Sequence, residues 1–445
     1  MTISNVTSAS LGTLIAEFGA EYFGRGINQK SPLLKSGNLK TTDPDGEEYV
    51  VTLYPSANHA TGFLLDFGRL PVGGSGSPLK ARALPSVLMS RLEQGRAAAK
   101  LKLADRQRTK MLDAEMKERA ADCGRILNRA LIGGSISPQA AATWSGTAAN
   151  STVTVPFLDV SLFREGMAAN FIDDSLALSY TVRVTAVAFA AIGANSANVA
   201  GNVSFINDIP DPSTGSVVAL GAVAIATADS FLIRGSVAGF GGASTLTGAV
   251  TNSFDTMTGS NPAASFMGQD PATMGVGYNW RGNYLSLGAA YSQEAALGFL
   301  SHIGTVSDDV PDVAVCHPQT AAAHRASGDF HGAAFGVTAG LSAGHVAQIN
   351  RTVDKYGNVY EDDGLRMGGA KVVQDPSCQV GRIIFYCSEY TKLCVWAEIG
   401  PDMEGGDPQL LGRTFYTTEV QFSGLYNLVT MLRSSTGILD GITGF

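Results

Sequence analysis

The 445-residue chain is 45% hydrophobic but only 16% charged, with a formal net charge of −8. Ordinary globular chains hold about 25% charged residues, so this one either exposes much neutral polar surface or buries surface against copies of itself. The acidic balance excludes a protein that grips phosphates by bulk charge, and the length allows roughly three domain-sized units or one elaborated domain with long extensions.

The start, MTISNVTSASLGTLIAEF, lacks the basic and long apolar regions of a secretory signal, and the sequence contains no membrane-length apolar run. A soluble protein made in a cytoplasm is expected. Residues 1–44 hold one short amphipathic stretch, Leu11 to Phe23, and then GRGINQKSPLLKSGNLK, which has little to pack with inside its own chain and reads as an extended arm. Residues 45–83 place strand-like runs either side of turn formers with the tip GGSGSP, a long hairpin or loop.

From Leu84 to Leu131 strong helix formers dominate, with Gly95 and Gly124 the only breakers. Leu84, Leu88, Leu92, Ala99 and Leu103, then Leu112, Met116, Ala120, Cys123, Leu127 and Leu131, step along one face and predict a single helix of roughly 70 Å. Either Pro85 stands at its first position or Ser90 and Glu93 form a capping box, and Gly133-Gly134 gives the stop. Eleven of the chain's 31 Lys and Arg lie here against six acids.

Residues 132 to 280 reverse this texture. Arg164, Arg183 and Arg234 are the only cations, and STVTVPFL, LSYTVRVTAVAF and SFLIRGSV read as strands between turn clusters. From about residue 290 helix and strand alternate. SQEAALGFLSHI predicts a short helix, PDVAVCHPQTAAAHRA a strand then a Pro-started helix, and VDKYGNVYEDD a hairpin. VGRIIFYCSEYTKLCVWAEI predicts a β-pair, and GRTFYTTEVQFSGLYNLVTMLRS two more strands. The half is α+β.

In this order the segments resemble the major capsid proteins of tailed bacteriophages, the Hong Kong 97-type fold that encapsulins also use. Local wording resembles the family as well, in NWRGNYLS, VVQDPSCQVGRIIFYCSEY and the closing FSGLYNLVTMLRSSTGILDGITGF. The resemblance implies an α+β fold with an N-terminal arm (1–44), an E-loop (45–83), a spine helix and the start of a peripheral domain (84–145), and a β-rich region holding the peripheral domain and an insertion (146–285). An axial domain (286–445) follows, with final strands returning to the peripheral domain. It also implies a structural, non-enzymatic role: hexamers and pentamers tiling an icosahedral virion capsid around double-stranded DNA, assembled in the host bacterial cytoplasm.

Subunit contact is then expected from the E-loop residues Phe63, Leu64, Phe67, Leu70, Pro71 and Lys80. Non-specific contact with packaged DNA is expected from the spine cations Arg96, Lys100, Arg106, Lys110 and Lys117; the alternative for these is a solvated face balanced by i, i+4 pairs. Portal, scaffolding and decoration proteins are the implied partners, with no membrane. Relatives that cross-link covalently use an E-loop lysine, but the tip Pro71 to Pro78 has none and Lys80 lies at the base. Many relatives also carry a charged N-terminal scaffolding segment, whereas here the loop begins within the first fifty residues, so a separate scaffolding protein is expected.

Three other readings compete. An encapsulin shell shares the fold but is usually shorter, and a secreted β-rich adhesin fits the Gly/Ser/Thr composition but not the start or the charged strut. A hydrolase would use GLSAG, Gly340 to Gly344, as a nucleophile elbow, yet the only histidine after Ser342 is His345, too near in sequence to be a separately placed base. His317, His324 and His331 recur every seven residues, about 10 Å along a helix and too far apart for one ion, and Gly328-Asp329 is expected to end that helix first. They are read as surface or capping residues. VYEDDG lacks the alternation of a calcium loop and is read as a hairpin turn. Cys123, Cys316, Cys378, Cys387 and Cys394, odd in number and without a CxxC pair, are read as buried thiols. No cofactor motif is present.

Overall fold

The computed structural model describes residues 31–34, 38–44, 46–53, 78–95, 105–133, 140–143, 151–157, 160, 163–173, 178–189, 201–207, 224–225, 230–233, 252–258, 265–271, 280–334, 350–353, 359–362, 365–401, 403–404, 407–408 and 417–443. Strand β1 (Lys40–Thr42) precedes the paired strands β2 (Tyr49–Leu53) and β3 (Leu79–Ala83), then β4 (Ser86–Gly95) and the long helix α1 (Asp105–Ile132). Strands β5 (Ala142–Thr143), β6 (Thr152–Phe157), β7 (Ala168–Asp173), β8 (Leu178–Phe189), β9 (Gly201–Ile206), β10 (Ala224–Ile225) and β11 (Ser230–Ile233) follow. Helix α2 (Phe254–Thr258) leads to β12 (Asn283–Ser286), α3 (Gln293–Ser307), β13 (Val313–Cys316) and α4 (Pro318–Ala334). The hairpin β14 (Asn350–Val353) and β15 (Val359–Asp362) comes next, then β16 (Arg366–Met367), β17 (Ala370–Gln374) and β18 (Ile383–Tyr386). The chain closes through β19 (Thr391–Pro401), β20 (Met403–Glu404), β21 (Asp407–Pro408), β22 (Thr417–Thr430), a 3-10 turn (Arg433–Ser435) and β23 (Gly437–Asp440).

Three larger sheets organise these strands. One has the order β12-β23-β18-β13-β17-β16, one β1-β19-β22-β4 and one β11-β7-β8-β9-β6. The first is buried on both faces, which is why VAVC and IIFY run apolar without alternation. Ala314, Cys316, Ile383, Phe385 and Leu439 face α3, against Ala296, Phe299, Leu300 and Ile303. Val313, Val315, Ile384, Tyr386 and Ile438 face the other way, into a core with α1, α2 and the four-stranded sheet. Helix and sheet approach so closely that a Cβ on Gly437 would stand 2.4 Å from Ile303 Cδ1.

The five-stranded sheet is half-buried and alternates as such sheets do. Val153, Val155, Phe157, Phe171, Val182, Val184, Val203 and Phe205 form a second core, while Thr152 and Thr154 face out. Phe157, Phe163 and Phe205 stack in tilted and edge-on pairs at 4.8 to 6.1 Å, geometry their ring quadrupoles favour.

Helix α3 begins at the Ser292 N-cap, whose side chain accepts from the Ala295 amide, and α4 begins at Pro318 as expected. Helix α1 stops at Gly133, in left-handed backbone at φ 75 with its N–H bonded to the Arg129 carbonyl.

Several expectations are corrected. The helix does not run from Leu84: residues 86–95 are strand β4, paired antiparallel with β22 from Ser86↔Tyr426 to Gly95↔Thr417. Helix α1 is therefore 28 residues, about 42 Å. The spacing of Leu84, Leu88 and Leu92 suits either element, and a ten-residue ladder with a distant strand outweighs helix propensity. The expected β-pair at 380–399 is two strands of different sheets: β18 lies in the six-stranded and β19 in the four-stranded one, divided by a turn in which Thr391 N–H donates to the Cys387 carbonyl. The described part of the segment expected to hold two further strands, from residue 417 on, contains the one 14-residue strand β22. Gly328-Asp329 does not end α4, which continues to Ala334. Val359 to Asp362 belong to a hairpin strand rather than its turn.

Candidate assembly surfaces

Among the described residues, strands β2 and β3 pair only with each other, in the register Tyr49↔Ala83 to Leu53↔Leu79. They enclose a connection of 25 residues, 54–78, where ordinary hairpin loops have about 2–5. One face of the pair is anchored: Val51, Ala81 and Ala83 enter the main core with Leu33 and Leu39. Segment 265–270 clamps it further, as Arg82 N–H donates to the Met267 carbonyl at 2.9 Å and Gln269 Nε2 to the Lys80 carbonyl at 2.9 Å.

The opposite face is open. Val50 is 45% exposed and Leu84 52%, with the weak Arg82–Glu48 pair at 3.3 Å beside them, and Val87 at the start of β4 is 60% exposed. Three exposed aliphatic side chains thus lie on β2, just past β3 and at the start of β4. Sequence reasoning missed them, although alternation over Tyr49–Leu53 carried the signal.

Of the expected contact residues, Lys80 lies on β3 with an exposed side chain; Phe63, Leu64, Phe67, Leu70 and Pro71 lie outside the described residues. Of the expected DNA-facing cations, Lys117 is exposed on α1, opposite the buried line Met116, Ala120, Cys123, Leu127 and Leu131, and next to exposed Glu118 and Arg119. Arg106 and Lys110 lie on α1 with side chains outside the described set, and Arg96 and Lys100 are outside it entirely. The structure brings none of these cations together into a patch among the described residues.

Buried polar ties hold the layers in register behind these surfaces. Ser31 Oγ donates to Asn128 Oδ1 at 2.5 Å and Asn128 Nδ2 to Asp375 Oδ2 at 2.7 Å, linking the N-terminal segment to α1 and to the end of β17. Burial pushes the Asp375 carboxyl above its ordinary range, against the opposing pull of its bonds from Asn128 and the Ser377 amide. Arg382 bridges Asp255 at 3.2 Å and Asp440 at 2.7 Å; burial pulls the guanidinium pKa down, but the two carboxylates outweigh it and hold it above its ordinary value. Arg433 donates to the Met257 and Trp280 carbonyls and lies 5.3 Å from the Phe266 ring centroid, and burial brings it down to about 10.

The alternative chemistries gather nothing. His317 Nδ1 accepts from the Gln319 amide, capping α4 as read. His324 is not at the surface: it is buried between the Tyr291 hydroxyl at 2.7 Å and the Arg366 carbonyl at 2.9 Å. The His331 side chain, Ser342 and His345 lie outside the described residues. All five cysteines are buried, and no cluster with metal-ligand character occurs among the described residues. No described helix is long and apolar enough to cross a membrane.

No family model and no curated protein matches the chain. Among solved structures, it is similar to a chain of the cyanophage A-1(L) capsid asymmetric unit at 10% identity and TM-score 0.39, covering 100% of this chain and 95% of that one. A structure from Mycobacterium phage Adephagia is similar at 7% identity and TM-score 0.41, with 93% and 90% covered. An encapsulin complex from Synechococcus elongatus is similar at 8% identity and TM-score 0.36, with 91% and 85% covered.

Proposed function

We propose that the chain is the shell-forming subunit of a phage capsid, a structural protein that tiles hexamers and pentamers around double-stranded DNA. The observation that carries this reading is the hairpin root. Its inner face is locked into the core, its outer face leaves Val50 exposed with Leu84 just past β3 and Val87 on β4 also exposed, and the connection between its strands is 25 residues long and includes Phe63, Leu64, Phe67 and Leu70. Exposed apolar patches mark association surfaces, and a symmetric assembly supplies the missing cover from a neighbouring copy. The low charge fits the same reading, because extensive contact faces tolerate few unpaired charges.

A phage shell is favoured over an encapsulin by the length of the β-rich middle region, since encapsulin subunits are usually shorter. Portal, scaffolding and decoration proteins are the partners such a shell uses, and cytoplasmic assembly in a bacterial host follows from the same reading. Negative-stain electron microscopy of the purified chain tests it. Closed polyhedral shells or five- and six-membered rings are expected, with DNA inside particles recovered from the host. Particles filled with a protein cargo would favour the encapsulin reading, and isolated monomers would remove both.

A further inference from the structure

The C-terminal turns of α1 gather guanidinium groups that the shell reading leaves unused. Arg125 and Arg129 stand one turn apart on α1, and a turn at residues 164–167 meets Arg129 through Met167. That turn is closed by Met167 N–H donating to the Arg164 carbonyl at 3.1 Å, with Gly166 at φ 80. Arg129 Nη1 donates to the Met167 thioether at 3.7 Å, and its Nε is buried without a hydrogen-bond partner among the described residues. A thioether is a weak acceptor for a charged donor. Arg125 is taken by Asp122, whereas Arg164 is exposed and forms no ion pair among the described residues, even with its neighbour Glu165.

A charge withdrawn from water needs a counter-charge, and among the described residues no carboxylate pairs with half-buried Arg129 at contact distance. Asp375 is the carboxylate whose field reaches it, but the Asp375 oxygens are already engaged by Asn128 and the Ser377 amide. Burial first, and the like charge of Arg164 second, bring Arg129 down to about 10.

We propose that Arg129 and Arg164 form a binding site for a tetrahedral oxyanion of the phosphate class, with Arg125 at its margin. Two guanidinium forks present paired N–H donors that match phosphate oxygens. The C-terminal carbonyls of α1 oppose an anion, so attraction comes from the guanidiniums alone and weak binding is expected. The site does not rest on the shell reading. Free phosphate and a nucleic-acid backbone present the same chemistry to it.

Thermal melts of the full chain in phosphate and in chloride at equal ionic strength test the site. Phosphate is expected to raise the wild-type Tm by about 2 °C, an increment lost in Arg129→Met and in Arg164→Gln and kept in Arg119→Gln, which changes an exposed cation elsewhere on α1. In chloride, Arg129→Met is expected to melt no lower than wild type, because the substitution removes an uncompensated buried charge. Equal melting in the two salts, or an increment retained by both Arg129→Met and Arg164→Gln, overturns the proposal. Arg164→Gln, at an exposed position, carries the test if Arg129→Met does not fold. A short labelled DNA duplex that phosphate displaces from wild type identifies the backbone as a source; one that does not bind at this site assigns free phosphate, and the site stands in both cases.

Discussion

Arg382 reaches Asp255 on α2 and Asp440 at the end of β23 from the start of β18, so one side chain joins a helix to two strands. Its side chain is only 11% exposed. Replacing it with methionine leaves two partly buried carboxylates facing each other, and the expected loss is about 3 kcal/mol, the low end for a buried pair because Asp255 keeps partial access to water. Urea denaturation of Arg382→Met reads this directly. Arg82→Ala, which removes the exposed pair with Glu48, is expected to change stability by less than about 0.5 kcal/mol, and equal effects for the two would contradict the layered core.

Asp375 gives a pH test whose sign is fixed. Burial raises its carboxyl in the fold, so the native state holds that proton more tightly than the unfolded chain does. The stability it contributes is complete below the unfolded pKa and is lost as pH rises through the folded one. Asp375→Asn removes this dependence, so its stability relative to wild type is expected to improve between about pH 4 and about pH 7, by roughly 1.4 kcal/mol per unit of pKa difference. Denaturation curves at the two pH values check it, and a difference that shrinks with pH would contradict the burial argument. Nothing in the local sequence announces Asp375 or Arg382, because each is defined by partners far along the chain. The buried cysteines were legible, since an odd, unpaired set of thiols in a low-charge chain belongs in cores.

At the scale of elements, legibility follows the range of the deciding contact. Strands buried on both faces, such as Val313–Cys316 and Ile383–Tyr386, announce themselves by unbroken apolar runs, and Pro318 and Ser292 mark helix starts by local chemistry. Ser86–Gly95 does not, because its identity as a strand is set by β22, and Leu84, Leu88 and Leu92 fit a helical face equally well. The same holds for Ile383–Tyr386 and Thr391–Pro401, which look like one hairpin and separate into two sheets.

The core of the five-stranded sheet is distinct from the others, with Phe205 in contact with Phe157 and Phe163. Phe205→Ala is expected to cost about 3–5 kcal/mol, and the loss should fall on that sheet. Hydrogen exchange by mass spectrometry is the measurement: faster exchange in β6 to β9 with β13, β17 and β18 unchanged fits separate cores, and uniform acceleration does not.

At the scale of the whole molecule, the chain divides its apolar surface unevenly. The six-stranded sheet hides both faces, yet Val50, Leu84 and Val87 stay open around the hairpin root. The paired strands of the hairpin were legible in outline, while the exposed root needed the paired register of Tyr49–Leu53 and Leu79–Ala83 to appear, and the contact residues expected between Phe63 and Pro71 lie outside the described residues. Changing Val87 to aspartate puts a charge where a neighbour's cover is expected and leaves the chain's own core untouched.

Sedimentation velocity on wild type and Val87→Asp at matched concentrations is the most direct measurement. Wild type is expected to run as rings or shells of many chains, and Val87→Asp as smaller species with unchanged circular dichroism. A wild-type chain that sediments as a folded 46.3 kDa monomer at every concentration would contradict it.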